Sequence, residues 1–291
     1  MINGFTKLYH FLIFTNVMIA LAAVAQCLLT YIILGEPMNP FIVLIEGTAT
    51  LLLYNMSLWL SKPNKPQASP YHRTRWVFAR PALFWTNSLM ACCLLLYSFL
   101  HVQFYTVVFL GFIGIVSLAY GLPLFRFRGK RGGLRQVPGL KLFHIAFVWS
   151  LSSVGLPVVE LWASGFIVDW GVANYLGVLK ILFLLICTLP FDIRDMEQDS
   201  YYHLKTIPHM IGKQRAKGLC YIFLWAHILL IAIAPYPIVI KAGLILTNIF
   251  IIFLLRLFLF RKPKAYHHVY LLDIALIVQY IFVLTFVDWT I

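Results

Sequence analysis

Residues 192–212 read DIRDMEQDSYYHLKTIPHMIG and hold four of the ten acidic residues of a strongly basic chain. Read as a helix, Asp192, Asp195 and Asp199 follow i, i+3, i+7 spacing and fall within about 60° of one face, with Glu197 pointing elsewhere. Three carboxylates on one face repel one another unless a cation sits between them, and oxygen-only ligands suit Mg²⁺. Mg²⁺ takes one or two protein carboxylates and leaves its other positions to water and substrate phosphate, so the spacing points to a metal-bridged phosphate. The competing reading is a solvated acidic loop, because a DxxDxxxD pattern alone is only moderately specific.

Outward from this stretch the chain is apolar. Hydrophobic residues make up 62% of the 291 residues and charged ones 11%, against roughly a quarter charged in soluble domains. The apolar runs have the length of helices that cross about 30 Å of hydrocarbon, and barrel alternation is absent. The composition therefore predicts an all-α, multi-pass integral membrane protein. The first run follows Lys7 directly and shows no small-residue cleavage site before Gly35 and Glu36. It is expected to be a retained helix and not a signal peptide, with the mature chain starting at Met1. Cys27, Cys92, Cys93, Cys187 and Cys220 lie in or beside apolar runs without metal-ligand spacing and read as packing residues.

Nine spans are expected, over residues 8–34, 41–60, 81–100, 104–120, 142–159, 170–189, 219–233, 238–260 and 269–287. The run 81–120 is too long for one crossing, and the turn is placed at 101–103. Counting on alternate sides puts 21 of the 23 lysines and arginines at one face, the cytoplasmic one by the positive-inside rule. Only Lys241 lies opposite and Lys180 within a span. The N-terminus is thus expected in the cytoplasm, the C-terminus on the opposite face, and residues 192–212 on the cytoplasmic side. The net charge of +13 is accounted for by this topology and by anionic lipid, with no need for nucleic acid.

Charges within spans are costly and face a cavity or a partner. Glu46 and Lys180 sit at similar depth and are candidates to pair across the bundle, and Arg256 and Asp273 to form a structural salt bridge in the last hairpin. His144 and His227 read as hydrogen-bonded packing residues, and His267 and His268 as too isolated for a metal site.

After the carboxylates come Lys205, Thr206, Ile207 and Pro208, then Ile211 and Gly212 with the basic Lys213, Arg215 and Lys217. A sixth span ending in DIRD, a further acid at Asp199, then KTIP and IG, resembles the second aspartate-rich motif of the UbiA-type intramembrane prenyltransferase superfamily. Nine helices with this motif after the sixth also resemble that family, so the similarity spans essentially the whole chain. His203 departs from it, standing where many members have glycine. The resemblance implies that an allylic isoprenyl diphosphate ionises and alkylates an acceptor, with Mg²⁺ held by Asp192, Asp195 and Asp199 and the tail in an apolar tunnel. Lys205 is a diphosphate candidate on the same ground, or simply a topology-setting lysine.

The family's other motif is missing. Where span two enters its loop, members carry NDxxDxxxD; here Asn55 is present, but Met56, Trp59 and Pro63 stand at the aspartate positions and the loop holds no acid. Either Lys62, Lys65, Arg73 and Arg75 clasp the diphosphate in place of a metal cluster, or the chemistry is lost and a binding role remains. In the loop after span four, Tyr120, Pro123, Arg135 and Lys141 resemble the family's tyrosine and basic pattern near the diphosphate. Gly129, Gly132 and Gly133 there either bring backbone amides to phosphate or form a flexible loop, while Arg126 to Arg131 read as membrane-surface anchors.

The expected molecule is a single domain over residues 1–291, a bundle of nine transmembrane helices in two pseudo-repeated halves around a cavity. Asn55, Lys62, Arg73, Tyr120, Arg135, Lys141 and Lys205 are its candidate substrate contacts, and an isoprenyl diphosphate and the bilayer its partners. The rival is a non-catalytic isoprenoid- or lipid-binding membrane protein; a transporter is a weaker third reading. Acceptor, donor chain length and oligomeric state are not set by the sequence.

Overall fold

The computed structural model describes residues 4–122, 125–127, 130–201, 204–260 and 271–288. Pro123, Arg128, His203, Arg261, Lys262, Lys264, His267 and His268 lie outside the described residues, as do the side chains of Arg126, Lys130 and Arg131.

The chain opens with α1 (Gly4–Phe14), α2 (Val17–Leu34) and α3 (Pro40–Leu60), then a short α4 (His72–Phe78), α5 (Pro81–Phe99) and α6 (Phe104–Gly121). A small hairpin, β1 (Phe125–Phe127) with β2 (Lys130–Gly132), leads to α7 (Leu140–Ser150) and α8 (Leu156–Ala163). The long α9 (Trp170–Arg194) is followed by α10 (Met196–Tyr201), α11 (Ile207–Ile211), α12 (Lys213–Ile233), α13 (Ile238–Leu254) and α14 (Leu271–Asp288). Among the described residues, eight segments are long and apolar enough to cross a bilayer, and the 17-residue Leu271–Val287 is a ninth apolar helix. The expected integral membrane bundle is present, and the turn after the third span falls where it was placed, between Phe99 and Phe104.

Local chemistry explains the ends and the breaks. Asn39 caps α3 by accepting from the Phe41 amide (2.9 Å), and Asp169 caps α9 by accepting from the amides of Gly171 (2.8 Å) and Val172 (3.0 Å). Residues 8–34 are not one helix as expected: the chain breaks at Thr15 and Asn16, and Asn16 adopts a left-handed φ of 64°, which Asn tolerates better than most residues. Between α7 and α8 the helix widens to a π turn at Leu151–Gly155. Pro157 has no amide hydrogen for the Ser153 carbonyl four residues back. Thr30 supplies the missing donor from α2, its hydroxyl reaching that carbonyl at 2.7 Å.

Helix α9 is the axis of the bundle. Two thirds (67%) of its apolar stretch is buried, against 17% for α5 and α6, whose apolar side chains form an outer surface suited to lipid. Its residues Phe183, Leu184, Ile186 and Leu189 pack into the main core with α7, α12 and α14. At the far end from the acidic stretch, buried Glu160 ties three segments together, accepting from Asn39 Nδ2 (2.9 Å), the Gln103 amide (3.0 Å) and Thr106 Oγ1 (2.7 Å).

Two expected pairs do not form. Glu46 accepts from Ser152 Oγ at 2.9 Å, while Lys180 donates to Gln26 Oε1. The two lie close enough to sense each other's charge, but depth along a helix says nothing about direction around it. Asp273 lies within electrostatic reach of Arg194 and Arg73, and among the described residues it forms no ion pair with Arg256, which lies within reach of Tyr221. The π turn at Leu255–Leu259 inserts an extra residue and rotates the chain beyond it, so equal counting from the hairpin tip does not give facing positions.

Helices α13 and α14 cross closely at Gly243, where an added Cβ would lie 2.7 Å from the Cα of Val283. Gly243→Val is expected to cost about 1–3 kcal/mol through overpacking. A lower midpoint of thermal unfolding in detergent, without change in helical content, is the readout.

Candidate active site

A cavity of about 350 Å³ opens where α9 ends. Its deeper walls are apolar, from Ile19, Ile145, Trp149, Leu184 and Leu276, with Tyr54 beside them. Its outer end is polar: Asn16, Arg73, Lys141, Asp192, Arg194, Asp195 and Asp273 meet there from separate parts of the chain. An apolar pouch below a charged mouth has the shape and polarity to hold an amphiphile with an anionic head.

The aspartates do not share one helical face as expected. Helix α9 ends at Arg194, and Asp195 is a bend with φ −90° and ψ 9° before α10 begins. Asp195 is held by its neighbour Arg194 in a two-pronged ion pair (2.5 and 2.6 Å), the geometry in which the guanidinium fork matches a carboxylate. Asp192 and Asp199 instead converge on Lys141 from α7, whose amine lies 2.9 Å from Asp192 and 3.0 Å from Asp199. Both carboxylates are nearly buried, at 3% and 6% exposure, and burial so deep requires a cation between them.

Arg73, brought in by α4, lines the same cavity. Its guanidinium donates to Asn16 Oδ1 (2.5 Å); Asn16 donates to Asn55 Oδ1 (2.8 Å), and Asn55 donates to Ser88 Oγ (2.9 Å). Asn55 thus does not line the cavity. It positions Arg73 through Asn16, at the break between α1 and α2.

The remaining candidates divide. Tyr120 stacks on His144 (4.7 Å between ring centres) and lies within electrostatic reach of Lys141, Asp192, Asp199 and Arg135. Arg135 and Lys205 are exposed and do not line the cavity; the Lys205 carbonyl instead accepts from the Gly139 amide at 2.8 Å. Lys62 lies over the rings of Trp59 (4.7 Å) and Phe78 (5.3 Å), away from the cavity, and Arg75 donates to the Ser69 carbonyl. Gly133 packs against the end of α6, where a Cβ would collide with the carbonyl oxygens of Tyr120 and Leu122. Close approach, not loop flexibility, is the reason for that glycine.

Sequence reasoning missed Asn16 and the inward turn of Arg194 and Asp273. The signal for them was polarity inside an apolar run, since Thr15 and Asn16 interrupt the first span and Asp273 the last. Among the described residues no group of three or more His, Cys, Asp and Glu side chains forms a ready metal cage. The donor set nevertheless suits a hard cation. Asp192 Oδ2 and Arg73 Nε are each buried without a hydrogen-bond partner, and both residues line the cavity.

No family model matches the chain, and no curated relative matches it in sequence. Solved structures do match its fold. These are the apo form of a UbiA homolog from Aeropyrum pernix K1 (TM-score 0.63, 14% identity, covering 95% of this chain and 98% of that one), and a UbiA homolog from Archaeoglobus fulgidus bound to GPP and Mg²⁺ (0.60, 12%, 96% and 99%). A digeranylgeranylglyceryl phosphate synthase structure aligns at 0.54, with 14% identity over 97% and 99% of the two chains. The class is therefore that of multi-pass membrane bundles with a charged-mouth cavity. Within it the fold is that of the UbiA-type prenyltransferases.

Lys141→Met is expected to destabilise the protein by about 1–3 kcal/mol, below the figure for a fully buried pair because the lysine side chain is 22% exposed. Adding Asp199→Asn should recover part of that loss by relieving repulsion with Asp192. A double-mutant cycle in detergent tests this, and strict additivity would contradict the bridge.

Proposed function

We propose that the protein is an integral membrane prenyltransferase that transfers an isoprenyl group from its diphosphate to an aromatic or lipid acceptor. The observation that carries this reading is that one apolar cavity with a charged mouth is lined by two residues with a buried, unsatisfied group each, Asp192 at Oδ2 and Arg73 at Nε. One asks for a cation and the other for an anion. In support, the structurally similar homolog from Archaeoglobus fulgidus binds DMAPP or GPP together with Mg²⁺.

In this reading Asp192, Asp195 and Asp199 would hold Mg²⁺, which would supply positive charge against the departing diphosphate. Arg73 presents its fork to the phosphate oxygens at the same mouth, a role the absence of acids in the loop after span two leaves to a cation. Lys141, shared by Asp192 and Asp199 and lining the same cavity, would be a second cation available to the phosphate. As the C1–O bond breaks, its electron pair leaves with the diphosphate, and the allylic carbon is exposed to the deeper walls. Trp149, Ile145 and Leu184 keep water from that carbon, and the faces of Trp149 and Tyr54 favour its positive charge. The acceptor's nucleophilic atom then forms the new bond to C1. The basic end of the bundle, with the N-terminus, faces the cytoplasm in this proposal and the C-terminus lies opposite.

Protein in nanodiscs should release diphosphate from radiolabelled dimethylallyl or geranyl diphosphate only with Mg²⁺, with mixed membrane lipids and aromatic acids offered as acceptors. Asp192→Asn and Arg73→Ala are each expected to lower that rate by about 10²–10³, as removal of a charge-stabilising group does. Asn55→Ala should act through Arg73 and weaken donor binding more than it lowers turnover. Mg²⁺-dependent binding with no release under any acceptor would replace the enzyme with an isoprenoid-binding protein; no binding would overturn both.

A further inference from the structure

Below the apolar walls the cavity does not continue into hydrocarbon. Lys180 on α9 donates to Gln26 Oε1 on α2, and Gln26 Nε2 donates to the Leu276 carbonyl on α14 at 2.7 Å. Both side chains are buried, Gln26 at 0% and Lys180 at 3% exposure. Leu184, one turn above Lys180, and Leu276 itself line the cavity. On the other side Lys180 borders a second, far smaller void of about 10 Å³ among Leu29, Leu176, Leu244 and His227. The Lys180–Gln26 link is thus a polar partition between the apolar end of the cavity and a small void that His227 and Gln279 also line.

We infer that this partition stops the donor's tail at two five-carbon units, making the substrate a short-chain isoprenyl diphosphate; the inference rests on the prenyltransferase reading. Leu184 lies eight residues below Asp192, which at about 1.5 Å per residue leaves roughly 12 Å of depth under the carboxylates. An extended chain advances roughly 3.5 Å per three bonds, so a four-bond isoprenoid repeat takes roughly 5 Å. Ten carbons fill that depth. A third unit would have to displace an amine and an amide that hold each other, and a hydrocarbon returns no hydrogen bond to either. Lys180 and Gln26 accordingly touch no reacting atom and act on specificity alone.

Affinities of the purified protein with Mg²⁺ for the dimethylallyl, geranyl, farnesyl and geranylgeranyl thiolodiphosphates test this. The wild type should favour the ten-carbon ligand over the fifteen-carbon one by about tenfold or more. Lys180→Ala joins the two spaces, and the geranyl-to-farnesyl ratio should fall toward one. Leu184→Phe fills the cavity from above and should move preference to the five-carbon ligand, giving a second readout should Lys180→Ala fail to fold. Equal affinity for ten and twenty carbons in the wild type, or ratios unmoved by both substitutions, would overturn the partition while leaving prenyl transfer standing. Failure of every chain length to bind would remove the prenyltransferase reading and this inference with it.

Discussion

A carboxylate withdrawn from water into an apolar bundle must find a cation, and Asp192 is withdrawn almost completely, at 3% exposure on the most enclosed helix. Lys141 answers it, and the answer fixes more than one contact. Because Lys141 begins α7, the chain before it must turn sharply, which Gly139 does with a left-handed φ of 72°. The Gly139 amide donates to the Lys205 carbonyl, and its Cα lies close against Ile207. The connection after α6 and the one after α9 are therefore held together at the same place where Lys141 gathers Asp192 and Asp199. Asp195, left outside that grip, is claimed by Arg194.

The same constraint operates deeper, where buried charged groups find partners within the bundle. Glu46 finds Ser152, Lys180 finds Gln26, and Glu160 collects three donors from two segments. Even the carbonyl released by Pro157 is met by Thr30. These links tie α2 to α9, to α14 and to the turn between α7 and α8 at successive depths. They give directional contacts to helices whose apolar surfaces alone would not distinguish one rotation from another.

Helix number, apolar boundaries and the acidic stretch were legible in the sequence because hydrocarbon thickness and charge cost act on composition, which is local. Breaks were less so. The expected spans ran through Asn16 and across 151–155, since neither a left-handed residue nor a π turn alters hydropathy. Pairing was least legible. Glu46 with Lys180 and Arg256 with Asp273 were matched by depth, while the actual partners depend on rotation about each helix axis, and that is set by side chains on several helices at once. In the site, Lys141 and Arg73 were found by charge and nearness to a motif. Lys62, Arg135 and Lys205 satisfied the same criteria but project elsewhere.

The acid-free end of α3 acquires a physical meaning from the residues around it. The mouth of the cavity holds three formal cations, Arg73, Lys141 and Arg194, beside three carboxylates, Asp192, Asp195 and Asp273. A wall of aspartates on α3 would raise the negative charge there and require a second divalent ion before any diphosphate could approach. With Arg73 anchored through Asn16 and Asn55 instead, that wall is already positive and its geometry is preset by hydrogen bonds. Asn55 thus has a structural role at the end of α3 without neighbouring acids, because it orients Arg73 through Asn16 at the cavity mouth.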